Sequence, residues 1–117
     1  MKENMLIAIP SNDGIHVEEH FGHCRRFILV KIHDGKVMSR LSVNPPQHAP
    51  GVFPAFLASE GADVIITGGM GGRAVNLFKE QGIDVILGAA GKVDDNLNTF
   101  LEGELESSGS VCTHEHA

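Results

Sequence analysis

His20-Phe21-Gly22-His23-Cys24-Arg25-Arg26 places two imidazoles, a thiol and two guanidinium groups in one short stretch. Imidazole and thiolate suit zinc, copper(I) or the iron of a metal–sulfur cluster. Positive charge beside a thiol favours the thiolate, so Arg25 and Arg26 are expected to lower the Cys24 pKa and to balance an anionic ligand. On a helix, His16, His20, His23 and Cys24 would be neighbours at i, i+3 and i, i+4 spacings, and one face would gather several metal ligands. The plainer reading is a histidine-rich surface loop with Phe21 packed on the core.

A second stretch, Gly68-Gly69-Met70-Gly71-Gly72-Arg73, follows an apolar run and precedes a helical pattern. Glycines let backbone N–H groups approach an anion, and a helix N-terminus adds a positive end. The stretch lacks the Lys-Ser/Thr ending of a Walker loop, and it is not the dinucleotide fingerprint either. Nucleotide binding is therefore the weaker reading of it. Met70 is either a thioether contact or a plug over the sheet edge. As a plain turn, the stretch has more glycines than it needs. A third stretch, Cys112-Thr113-His114-Glu115-His116, alternates ligand and non-ligand residues. In an extended chain Cys112, His114 and His116 face one side, and together they could grip a single zinc or copper ion. The alternative is a flexible terminus that binds metals adventitiously.

The elements that position these stretches are legible from periodicity. Met5–Ile9 is a continuous apolar run of strand length ended by Pro10, as expected for a strand covered on both faces. Residues 27–32 and 36–41 read as two strands joined at Asp34-Gly35, a strong two-residue hairpin signal. A Pro-rich loop follows, and then a helix over 52–60. Next come a strand over 63–67, the glycine stretch, a helix over 73–81, a strand over 83–87, a second glycine turn over 88–91, and a helix over 93–101. Val93, Leu97, Phe100 and Leu101 make one apolar stripe on that last helix, and Asp94 and Asp95 stand in its first turn, where the macrodipole favours acids. The predicted fold is α/β, with a five-stranded mixed sheet, flanking helices and the order β-β-β-α-β-α-β-α. Successive βα units are parallel, and ligands of open α/β sheets sit beyond the carboxyl ends of the parallel strands. Three loops, 11–24, 68–72 and 88–91, are expected to converge there.

Composition limits the function. The 117 residues fit one domain over 1–102, followed by a flexible acidic tail over 103–117 that carries the last cysteine and histidines. The net charge is −6, and from Glu102 onward Glu102, Glu104, Glu106 and Glu115 have no Lys or Arg beside them. An acidic chain without a basic stripe argues against nucleic-acid binding. No apolar run reaches membrane-span length, and no signal peptide is evident, which makes a cytoplasmic protein with reduced thiols the expectation. Catalytic readings find little support. No nucleophile elbow is present, and the first strand carries no carboxylate for a two-metal nuclease site. Asp63 and Asp84 start strands, at the end away from the three loops.

Taken together, His20-Phe21-Gly22 with Arg26-Phe27, Ile66-Thr67-Gly68-Gly69-Met70-Gly71-Gly72-Arg73-Ala74, and Gly82-Ile83-Asp84-Val85-Ile86 with Gly88 resemble the dinitrogenase iron–molybdenum cofactor biosynthesis family. That family includes NifX, NafY, the C-terminal part of NifB and many stand-alone members. The resemblance covers residues 4–102. It implies a ribonuclease-H-like α/β fold without nuclease activity. It also implies binding of iron–molybdenum cofactor, its precursors or a molybdenum–copper–sulfide cluster. His20, Phe21 and Gly22 match the family's first site block, and Gly68–Arg73 match its glycine loop. The pattern does not cover His23, Cys24 or the tail.

The expectation is a non-catalytic carrier or metallochaperone for an anionic metal–sulfur cluster of iron and/or molybdenum, with copper as an option. It would work with donor and acceptor proteins, and no oligomeric state is specified. Its site would comprise His20, Phe21, Gly22, Arg25, Arg26 and Gly68–Arg73, with His20, His23 and Cys24 as metal ligands. The alternatives are a regulatory small-anion or nucleotide-binding module, and plain zinc or copper binding through Cys112, His114 and His116.

Overall fold

Apolar runs without alternation demand cover on both faces, and the protein meets that demand with a sheet between two helical layers. The computed structural model describes residues 4–19, 24–47, 49 and 51–102. Its elements are β1 (Asn4–Ser11), β2 (Arg26–His33), β3 (Lys36–Val43), α1 (Val52–Ser59), β4 (Val64–Ile66), α2 (Gly72–Glu80), β5 (Asp84–Ile86) and α3 (Val93–Leu101). The order is the expected one. The sheet runs β3-β2-β1-β4-β5. β1 is antiparallel to β2 and parallel to β4, β4 is parallel to β5, and β2 is antiparallel to β3.

On one face Ile7, Ile9, Ile28, Val30, Ile32, Val64 and Ile66 pack with Val93 and Leu97 of α3, and Phe100 and Leu101 extend that contact. On the other face Ala8, Phe27, Leu29 and Ile65 pack with Phe53 and Leu57 of α1 and with Phe78 of α2. Phe27 and Phe53 meet edge to face with ring centroids 5.3 Å apart. The hairpin turn is the expected one. Asp34 and Gly35 both have positive φ, 53° and 77°, as a type I′ turn requires.

Two expectations need correction. β1 does not stop before Pro10 but continues to Ser11. Its ladder to β4 pairs only Ile7 and Ala8, so the missing N–H of Pro10 costs that neighbour nothing. The helices also leave β3 uncovered: Val37, Met38 and Leu41 on this edge strand are exposed. The register between β2 and β3 shifts next to Lys31 and Ile32, a bulge of the kind that blunts an edge against foreign strands.

Candidate functional site at the carboxyl edge of the parallel strands

The three parallel strands all end at the same side of the sheet, and the loops that follow them touch. The β1–β2 loop is built on side-chain caps. Ser11 Oγ accepts the Gly14 N–H at 2.8 Å, and Asp13 Oδ1 accepts the N–H groups of Ile15 and His16 at 2.8 and 2.7 Å. The His16 ring Nδ1 lies 2.7 Å from Asp13 Oδ2. These bonds to its charged form, led by the His16 N–H, hold the Asp13 carboxyl well below the usual carboxylate range. Asn12 ties the two sides of the loop together. It accepts the Arg25 N–H at 2.7 Å and donates to Glu18 Oε1 at 2.7 Å.

This loop is bonded to the one between β5 and α3. Val17 N–H donates to Gly91 O at 2.9 Å, Val93 N–H donates to Ile15 O at 2.7 Å, and His16 forms a bridge with Lys92. The glycine loop lies against both of its neighbours. Gly88 N–H donates to Gly68 O at 2.9 Å. A Cβ on Gly68 would stand 2.9 Å from Glu19 Cα and 3.1 Å from Ala89 O, and one on Gly69 would stand 3.1 Å from Glu19 O. Gly68 is thus required by the close approach of a neighbouring backbone. Gly71 is different, because a Cβ there would meet nothing within 4 Å. The expected convergence of the three loops is a feature of the structure.

Positive groups stand at this edge beside the carboxylates of Asp13, Glu18 and Glu19. Gly71 caps α2 with extended backbone and without a side-chain cap, and no acid stands in the first turn. α3 carries Asp94 and Asp95 in its own first turn. Among the described residues, the N-terminus of α2 therefore has uncapped donors and keeps its positive end. Arg25 and Arg73 are exposed and Arg26 is half-buried. Arg40 on β3 pairs with Asp94 and donates to Gly14 O, which anchors the β1–β2 loop from the α3 side.

Some predicted site residues stand elsewhere than expected. His16 and Cys24 stand on no helix, and the expected helical spacing that would join them to His20 and His23 falls on residues outside the described ones. His16 is engaged with Asp13 and Lys92 instead. Cys24 belongs to the apolar cluster of the α1/α2 face, with Phe27 and Phe53. Burial pushes its thiol up to about 12, which overturns the expectation that Arg25 and Arg26 hold it as a thiolate. Its charged form is desolvated, and the nearby Glu18 charge opposes ionisation as well. His20, Phe21, Gly22, His23, Cys112, His114 and His116 lie outside the described residues. No group of three or more His, Cys, Asp or Glu side chains among the described residues could hold a metal ion.

Sequence reasoning passed over Thr67. It ends an otherwise aliphatic strand just before Gly68, and its side chain is fully buried. Two buried side-chain polar atoms among the described residues have no hydrogen-bond partner, Arg26 Nε and Thr67 Oγ1, and both stand at this edge. A polar β-branched residue ending an apolar run beside a glycine loop was the available signal. A cleft of about 440 Å³ opens at the opposite edge, among Asn4, Lys31, Glu60 and Asp63. There Asp63 has a structural task, accepting the Leu6 N–H at 2.9 Å, and the cleft lies at the amino ends of the parallel strands, away from the loops.

A parallel-strand edge with three joined loops, a helix N-terminus and, among the described residues, two unpaired buried polar atoms is the candidate site of this small α/β protein. The chain belongs to the dinitrogenase iron–molybdenum cofactor family, whose model matches residues 3–103. It is thus a small cofactor-related protein. It is 34% identical over 107 residues to the uncharacterized protein MJ0580 of Methanocaldococcus jannaschii, covering 87% of this chain and 90% of that one. The crystal structure of PH0822 superposes with a TM-score of 0.82 at 32% identity, over 92% of this chain and all of that one (100%). The apo form of the orange protein from Desulfovibrio gigas gives 0.72 at 26% identity, over 90% and 93% of the two chains. No helix among the described residues is long and apolar enough to cross a membrane.

Proposed function

We propose that this protein is a cytoplasmic carrier for an anionic metal–sulfur cluster of iron and/or molybdenum, with copper as an alternative metal. It takes the cluster from a donor protein and yields it to an acceptor, and it is not a catalyst. The observation that carries this reading is the joining of three loops at one sheet edge, around a helix N-terminus with free N–H donors. Membership of the cofactor family supports it, and so does the likeness to a protein studied in an apo form.

In this reading His20 is the principal protein ligand, set in the loop with Phe21 and Gly22, and His23 is a second imidazole. Cys24 can join only if it leaves its apolar cluster and loses a strongly held proton. Arg25, Arg26 and Arg73 balance the cluster's charge, and the N–H groups of Gly68, Gly69, Met70, Gly71 and Gly72 bond its sulfides. Cys112, His114 and His116 form a separate zinc or copper site on a tail that begins at residue 103.

The test is anaerobic. The protein is incubated with iron, molybdate, copper and sulfide in separate combinations, desalted, and examined by visible spectrum and elemental analysis. The wild type is expected to retain colour with stoichiometric metal and sulfide. His20→Ala is expected to lose most of it while keeping its melting temperature. Unaltered binding by that variant sinks the assignment. The free N-terminus of α2 also favours a second reading, a small-anion or nucleotide-binding module. That module would be stabilised by phosphate or nucleotide without any metal.

A further inference from the structure

Thr67 is fully buried, yet its hydroxyl has no hydrogen-bond partner among the described residues. Buried polar atoms in native proteins are nearly always paired, because an unpaired one costs its full desolvation. The preceding residues of β4, Val64, Ile65 and Ile66, are all buried and aliphatic. Valine has the shape of threonine and suits a strand, so packing alone does not account for a hydroxyl at position 67.

The placement is specific. The Thr67 backbone is held on both sides: its N–H donates to Ile86 O at 3.0 Å, and its carbonyl accepts the Ala89 N–H at 3.2 Å. Strand alternation puts its side chain on the face of Ile65, the face of the cluster that holds Cys24 and Phe27 and against which Met70 packs. The next residue, Gly68, is the one pressed against Glu19. Thr67 is therefore the floor of the joint between the glycine loop and the loop that carries His20. The other unpaired buried atom, Arg26 Nε, stands at the same edge on the opposite face of the sheet, where Arg26 pairs with Ser11 of β1.

We infer that the Thr67 hydroxyl is a hydrogen-bond donor to the anion held at this edge, and that the anion presents oxide or sulfide acceptors to it. The inference rests on the carrier reading above and extends it to a residue outside the two site stretches. The unpaired hydroxyl is a cost borne by the empty protein and recovered on binding. Because Oγ1 is covered, the glycine loop must shift for the contact to form. Met70, unbranched and half-buried against the same cluster, is the side chain best able to give way.

The experiment compares wild type, Thr67→Val and Thr67→Ser. Each is melted without ligand, then titrated anaerobically with molybdate plus sulfide. Thr67→Val is expected to melt above the wild type, since it deletes an unpaired hydroxyl without leaving a hole. It is expected to bind about tenfold or more weakly, as befits one lost hydrogen bond to a charged acceptor. Thr67→Ser is expected to melt lower, having lost a methyl group, and to bind close to wild type. If Thr67→Val melts below the wild type, the hydroxyl has a partner within the fold and the inference fails. If the wild type binds and Thr67→Val binds equally well, only the Thr67 role is lost. If the wild type binds nothing under these conditions, the carrier reading fails and the donor role fails with it.

Discussion

Individual residues at this edge divide into those whose chemistry survives folding and those whose chemistry folding removes. Cys24 is of the second kind. Beside two arginines in sequence it reads as an activated thiolate, but the chain turns it into the cluster of Phe27 and Phe53. The proton is then held by desolvation, and the thiolate gains ground only as the pH approaches about 12. In a Cys112→Ser background, Cys24 is expected to react with iodoacetamide at pH 8 at least about tenfold more slowly in the native protein than in urea, because only the thiolate attacks. Equal rates in site-resolved mass spectrometry would return Cys24 to the list of activated ligands. Asp13 moves the other way. Its carboxylate accepts the N–H groups of Ile15 and His16 and meets the His16 ring, and so shapes the loop that leads toward His20.

At the scale of elements, the glycine loop combines two requirements that look alike in sequence. Gly68 makes room for the backbone of Glu19 and Ala89, whereas Gly71 has open space around it and an ordinary φ of −67°. Gly68→Ala is expected to destabilise the fold by ~1–3 kcal/mol, since backbone on two sides must shift. Gly71→Ala is expected to cost no more than ~1 kcal/mol, the usual price of alanine at an N-cap. It should nevertheless reduce cluster retention, because its methyl group enters the space the anion would use. Urea midpoints measure the first effect, and metal retained after desalting measures the second. Equal stability losses in the two variants would contradict this division. The same loop directs α2, whose uncapped first turn points its donors to the edge, while Asp94 and Asp95 occupy the first turn of α3.

For the whole molecule, the described residues build both packed faces, α3 covering one of them with Val93 and Leu97. A chain ending at Gly103 is therefore expected to melt close to the full-length protein and, on the carrier reading, to retain the cluster. Loss of all metal binding on this truncation would favour the site of Cys112, His114 and His116 instead. The sequence alone determined the order of elements, the hairpin at Asp34-Gly35, the apolar stripe of α3 and the family, because these rest on local periodicity, turn chemistry and residues at fixed spacing. Tertiary structure decided the rest. It carried β1 through Pro10, because the β4 ladder ends earlier, and it left β3 bare. It withdrew Cys24 into the core and gave His16 to Asp13. It also showed Thr67 as a buried hydroxyl without a partner among the described residues. Each of these depends on which atoms from distant parts of the chain come within a few ångströms, and spacing along the chain does not encode that.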